Sequence, residues 1–322
     1  EFISQFHTLP KIIAGADLAV GASLVGALSS VAESMGIAYR YVAFSPSILP
    51  SRHYPFPFCK HQGLPEYYNR LTWQMAKIFD RFNLTSLINK GRRQLGLTPV
   101  KNAWLSILGQ RVIVASDKAI SSVPGDVESD VAQTGYLHLD QVDQHLEALE
   151  RFLDADSPPV YAGFGSMPKK DQADNIPIIV EAVRSVGRRV VIAKFWEEPL
   201  EFRHSDDVFF ISKYPHLKLF PRMAAVIHHG GAGTVATSAI SGVPQIVVPH
   251  LLDQYYWGSQ IYRSNLGPKP IWRSRLTSRK LAGAIHETLS HKRMKQKATA
   301  VSRMIDQQNS LDMAVRELLR GV

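Results

Sequence analysis

Cysteine is all but absent: Cys59 is the single one in 322 residues. One thiol excludes an internal disulfide and a cysteine-based metal cluster, and it fits a reducing, cytoplasmic setting. Long apolar runs are lacking too. None approaches the roughly 20 residues that a helix needs to span a bilayer, and no signal-peptide pattern is present. No residue cluster has zinc or magnesium ligand spacing, since Asp253 stands beside Gln254 rather than in an Asp-x-Asp pair. Charged residues make up only 20%, with Lys+Arg 37 against Asp+Glu 28 and a net charge of +9. That excess suits a small anion, a membrane surface or nucleic acid. No Lys/Arg block is interleaved with stacking aromatics, so nucleic acid is not expected. Asn83-Leu84-Thr85 is a formal glycosylation sequon that reads as chance.

What is present is a core-forming chain. Hydrophobic residues make up 45%, and the length suits two ordinary domains. Short apolar runs at 38–44, 111–116, 159–164, 189–194, 208–211 and 245–248 read as buried strands, as do residues 12–22. Helical patterns separate them. Residues 23–35 form one, ended by Gly36. Leu71, Met75, Ile78, Phe79 and Phe82 recur at amphipathic spacing, and 88–97 continues that region. Pro177 is placed in the first turn of a helix carrying Ile179, Ala182, Val183 and Val186 on one face. Residues 142–156 read as a polar segment, the basic run 291–297 as a solvated face and 298–319 as one helix.

The chain is organised around residues 225–254. An apolar strand ends in His228-His229-Gly230-Gly231-Ala232-Gly233-Thr234, a helix-compatible segment follows over 235–241, and Gly242 and Pro244 stop it. A second strand then leads to a loop carrying Asp253-Gln254. A strand, a glycine turn and a helix start present unpaired N–H groups and the positive end of the helix dipole to an anion. Asp253 and Gln254 side by side could accept from and donate to adjacent hydroxyls.

HHGGAGT followed by VPHLLDQ resembles the donor-site signature of the family-1 GT-B glycosyltransferases, the UDP-glycosyltransferase superfamily, with microbial sterol-type and antibiotic-type members most alike. The resemblance implies an α/β GT-B fold of two Rossmann-like domains whose parallel sheets face a cleft. It implies an acceptor domain over 1–140, a donor domain over 141–302, and a C-terminal helix, 303–322, packing back on the first. The donor diphosphate would be held by His229, Gly230, Gly231, Gly233 and Thr234, with Ser166 of the Phe-Gly-Ser turn nearby. Asp253 and Gln254 would bind the donor sugar, and His216 and Trp196 the base. Thr237 stands where plant members place a ribose-binding glutamate, so UDP and dTDP both stay open.

Tyr54, Phe56, Phe58 and Trp73 fit a lipophilic acceptor pocket as a group, although each taken singly reads as a core or helix-docking residue. An apolar face beside Arg92 and Arg93 suggests peripheral membrane contact. No Met opens the chain, and the resemblance implies entry partway through the first domain. The general base is then expected upstream of Glu1, and no residue is assigned that role among His7, His53 and His61. Ala22 or Ser23 falls where family members carry an aspartate that orients the catalytic histidine. The expected reaction is inverting, metal-independent transfer from a UDP-sugar, or a dTDP-sugar, to a hydroxyl of a small lipophilic acceptor, with no cofactor. A nucleotide-sugar-binding protein without activity and a GT-B sugar epimerase remain as alternatives.

Overall fold

The computed structural model describes residues 2–23, 25–139, 146–165, 167, 169–193, 205–212 and 214–322. It divides into two compact units, Glu1–His138 with Asp306–Val322, and Leu139–Ile305.

The first unit begins with helix α1 (Phe2–Ile12), strand β1 (Leu18–Ala22), helix α2 (Leu28–Met35) and strand β2 (Ala38–Ala43). The strand expected over 12–22 therefore starts later, because Ile12 closes a helix. Phe6, Leu9 and Ile13 recur at helical spacing and pack among Ala27, Val31 and Ile88. Helices α3 (Glu66–Phe82), α4 (Leu84–Gln94) and α5 (Ala103–Leu108) precede strands β3 (Arg111–Val114) and β4 (Asp130–Gln133). The strands form a parallel sheet in the order β1-β2-β3-β4. Val112, Ile113 and Val114 are fully buried, as expected for a strand covered on both faces.

The second unit contains α6 (Glu147–Asp154), β5 (Val160–Gly163), α7 (Lys169–Ser185), β6 (Val190–Ala193), β7 (Val208–Ile211), α8 (His216–Leu219), β8 (Ala225–His228), α9 (Ala232–Ile240), β9 (Gln245–Val247), α10 (Asp253–Arg263), α11 (Ser278–Ser290) and α12 (Lys292–Ser302). The polar segment over 142–156 thus holds a helix, anchored by the buried pair Leu149 and Leu153 at i, i+4 spacing. Pro177 lies inside α7 rather than in its first turn. Burial of Ile176, Ile179, Val180 and Val183 along one face holds that helix together in spite of the lost N–H. The parallel sheet runs β7-β6-β5-β8-β9. Strand order reverses between β5 and β8, where doubly wound folds bind their ligands at the carboxyl ends of the strands.

The helix expected over 298–319 is interrupted. α12 stops at Ser302, and α13 (Gln307–Leu319) starts afresh, capped by the Asp306 carboxylate accepting from Asn309 N–H at 3.1 Å. α13 belongs to the first unit, where Leu318 packs on Val42 and Ile113, and Glu317 bonds Arg111.

Candidate functional site at the β5–β8 switch point

At the switch point Gly163 of β5 sits in register with His228 of β8, and both strands turn immediately afterwards. His228 is fully buried. Its Nδ1 accepts from Gly230 N–H at 3.0 Å, so its proton is on Nε2, which donates to Gln245 Oε1 at 3.0 Å. Gln245 Nε2 in turn donates to the Val235 carbonyl at 3.2 Å. One buried chain of bonds thus ties the glycine turn to β9 and to the first turn of α9. Burial, and then the neighbouring His229, push the His228 pKa down to about 3, so the tautomer is fixed at neutral pH.

Gly230 adopts φ 93°, and a Cβ there would lie 3.0 Å from the Gln254 carbonyl. Only glycine supplies both the left-handed turn and the close approach to α10. Gly231 precedes α9 without a side-chain cap, leaving the leading N–H groups of that helix open to a ligand. Gly231, Gly233 and Thr234 are half-buried around that first turn. Thr237 turns its hydroxyl back onto the Gly233 carbonyl at 2.8 Å.

His229 is 8% exposed, and its ring lies over two glycines. A Cβ on Gly231 would come within 2.5 Å of its Nε2, and one on Gly165 within 2.9 Å of its Cε1. Among the described residues its buried Nδ1 has no hydrogen-bond partner. Burial, with help from the charge of His250, lowers its pKa to about 4, so at neutral pH it is an uncharged ring with one N–H to give. A buried polar atom without a protein partner calls for an explanation, and a ligand is the natural one here.

The Asp253-Gln254 pair opens α10 instead of lying in a loop. Leu252 before it holds φ 52°, a left-handed conformation that costs a non-glycine residue about 1–3 kcal/mol. Gln254 supports this bend, because its Oε1 accepts from His250 N–H at 2.8 Å and Leu251 N–H at 3.1 Å. Its Nε2 rests 3.8 Å from the Met167 sulfur. Burial raises the Asp253 pKa to about 6, against the opposing pull of its own backbone N–H and the Trp257 indole.

His216 opens α8. Its Nε2 is 2.9 Å from the Tyr161 hydroxyl and its ring stacks on Phe220 with centroids 4.6 Å apart. Burial lowers its pKa to about 4. Ser166 and Trp196 lie outside the described residues.

In the first unit, Phe56 gathers the aromatic cluster: its ring centroid is 5.1 Å from Trp73, 5.1 Å from Trp104 and 5.3 Å from Phe58. Tyr54 is buried, with its hydroxyl on the Pro46 carbonyl at 2.7 Å, and the Trp73 indole donates to the Tyr54 carbonyl at 3.1 Å. Phe58 stands exposed. Arg92 is not at a surface face: it is 2% exposed and held by Glu33 at 2.7 Å and the Thr98 carbonyl at 2.8 Å. The expected surface face therefore does not include Arg92, whereas Arg93 is exposed. Ser23 holds φ 49° at the end of β1. Sequence reasoning passed over His228, Gln245 and Leu252. The doubled histidine was the one local signal, whereas Gln245 and Leu252 acquire their roles from residues brought together by the fold.

Two parallel α/β sheets, the second doubly wound with the candidate site at its switch point, define the GT-B fold. Solved glycosyltransferases share it. The glycotransferase of kitacinnamycin superposes with a TM-score of 0.72 at 15% identity over 98% of this chain and 80% of that one. VinC, solved in complex with DTDP, gives 0.68 at 19% identity over 99% and 76%. Residues 178–313 match the family described as erythromycin biosynthesis protein CIII-like, C-terminal domain. Vancomycin aglycone glucosyltransferase of Amycolatopsis orientalis is 34% identical over 274 residues, 82% of this chain and 65% of that protein. A sterol 3-beta-glucosyltransferase of Arabidopsis thaliana is 29% identical over 296 residues, 88% and 47% respectively. The chain therefore spans less than two thirds of the length of these curated relatives.

Proposed function

We propose that the second unit binds a nucleotide diphosphate sugar and that the protein to which this chain belongs transfers the sugar to a hydroxyl of a small lipophilic acceptor. The observation that carries this reading is the His229 ring, buried, neutral and, among the described residues, unpartnered at Nδ1, set beside the uncapped start of α9. The diphosphate would accept from the His229 ring N–H, from the backbone of Gly230, Gly231 and Gly233, and from Thr234, with Ser166 as a further donor. Asp253 would accept from a sugar hydroxyl, and Gln254 Nε2 would donate to its neighbour. His216 and Trp196 would contact the base, and UDP is favoured over dTDP.

As the glycosidic bond to the diphosphate breaks, charge develops on the leaving phosphate oxygen. The helix start and His229 are fixed dipoles aimed at that charge. This arrangement needs neither metal nor cofactor. Inversion requires a base to take the acceptor proton, and none of His7, His53 and His61 is assigned that role. The exposed Phe58 beside Phe56 and Trp73 offers an apolar contact to the acceptor. Tyr54 would support it from beneath.

Product analysis with a labelled nucleotide sugar tests the reading. A new glycoside, formed equally in EDTA, is the expected result. An unchanged donor would indicate a binding protein, an isomerised sugar an epimerase, and activity lost to EDTA and restored by Mg²⁺ or Mn²⁺ a metal-dependent reaction.

A further inference from the structure

Helix α3 is amphipathic, but it docks by its polar side. Asn69, 1% exposed, donates to the Arg52 carbonyl at 2.9 Å and the Leu64 carbonyl at 3.1 Å. The Thr72 hydroxyl accepts from Phe56 N–H at 2.9 Å, and Trp73 packs edge-on against Phe56. These contacts turn the apolar side of α3 outward. Met75 is 61% exposed, Ile78 65%, Phe79 72% and Phe82 75%, with Tyr67 and Leu71 on the same side. At 100° per residue these six fill an arc of about 120°, and the helix is about 25 Å long. A contiguous apolar strip of this size on one face marks an interaction surface.

The charges sort with equal clarity. Arg70, Lys77 and Arg81 fall together on one border of the apolar arc, within about 40° of each other. No ion pair involves them among the described residues. The acids of the helix are committed elsewhere: Glu66 to Arg52 at 3.5 Å, and Asp80 inward to the Thr85 hydroxyl at 3.4 Å. An apolar arc with a row of unpaired cations along its edge is the pattern of a helix lying in a membrane interface. A second copy of the chain would bring the same three cations against one another, in a molecule already carrying +9.

We propose that α3 is a docking surface for an anionic lipid bilayer. It lies parallel to the surface, with Phe79, Phe82, Ile78 and Met75 below the headgroups and Arg70, Lys77 and Arg81 at the phosphates. This deepens the lipophilic-acceptor reading, since a bilayer is where such acceptors concentrate. Its test needs no sugar donor, so the two readings stand or fall separately.

Cosedimentation of the whole chain with vesicles of equal parts phosphatidylcholine and phosphatidylserine, and with phosphatidylcholine alone, tests the proposal. Partition to the anionic vesicles is expected to exceed that to neutral ones at least about tenfold. Arg70→Gln, Lys77→Gln and Arg81→Gln combined should weaken anionic binding by about a hundredfold, or about fivefold per cation. Ile78→Ser, Phe79→Ser and Phe82→Ser combined should abolish it. These side chains are exposed, so an unchanged thermal transition will show that each variant is folded. As a second readout, a polarity-sensitive dye on Ile78→Cys in a Cys59→Ser background should shift to the blue on anionic vesicles only. Unaltered partition of both variants would overturn the proposal. So would the absence of vesicle binding by the parent chain, whether or not α3 then mediates a dimer in sedimentation or its serine variant loses transfer activity.

Discussion

At the residue scale the proposed donor site turns on two side chains with opposite electrostatics. His229 is uncharged, so it contributes one directed N–H and no net charge. Replacing it by alanine should weaken UDP and dTDP binding by about tenfold to a hundredfold, the usual cost of one hydrogen bond to a charged group. Isothermal calorimetry measures this, and equal affinity in parent and variant would remove His229 from the diphosphate site. Asp253 is a half-buried carboxylate with its pKa raised to about 6. If it grips the sugar, Asp253→Ala should lower kcat/KM for the nucleotide sugar by about tenfold to a hundredfold while leaving the bare nucleotide almost unaffected. Equal weakening of both ligands would show that Asp253 only shapes the start of α10.

At the element scale, the glycine turn owes its shape to a partner seventeen residues along the chain from His228. Gln245 of β9 receives the His228 Nε2–H and returns a bond to the Val235 carbonyl. Gln245→Leu keeps the volume but leaves both groups buried and unpaired, so stability should fall by about 1–3 kcal/mol. The donor KM should rise more than kcat falls, because the turn loses its register while the reacting groups stay. Urea denaturation and steady-state kinetics read these effects, and an unchanged KM would show that the glycines hold the turn unaided. Strand, turn and helix over 225–240 were legible because their signals are local: an apolar run, a glycine at 230 where φ is positive, a stop at Gly242. The roles of α3 and Gln245 were not. Periodicity shows that Leu71, Met75, Ile78, Phe79 and Phe82 share a face but not whether that face meets protein or water, which Asn69, Thr72 and Trp73 decide through contacts with the preceding loop. His228 and Gln245 likewise meet only once β8 and β9 pair. The single helix expected over 298–319 is divided for a local reason, the Asp306 cap that starts α13 afresh.

At the scale of the whole molecule, buried histidines and carboxylates set opposing responses to acid. His216, His228 and His229 are held at about 4, 3 and 4, below the ordinary 6.5, by burial. The unfolded chain takes up three protons near pH 6.5 that the folded protein refuses, so their stabilisation is complete above that pH and is lost as pH falls toward 4. Asp117 and Asp253 act in the other direction. Burial raises both to about 6 from 3.8, so the folded protein binds protons first, and these two groups add stability as pH falls from about 6 to 4. The histidines outnumber the carboxylates, and stability should drop on the order of 1 kcal/mol per pH unit between about 6.5 and 4. The two units differ, however. All three histidines and Asp253 belong to the second unit, while Asp117 belongs to the first. Acid should therefore lower the melting temperature of the second unit and leave that of the first nearly level or slightly raised. Differential scanning calorimetry at pH 7.5 and pH 5 resolves this, with added UDP marking the second unit as the transition it raises. A UDP-sensitive transition that holds its position on acidification would mean that the three histidines titrate normally, and that the buried tautomer assigned to His228 is wrong.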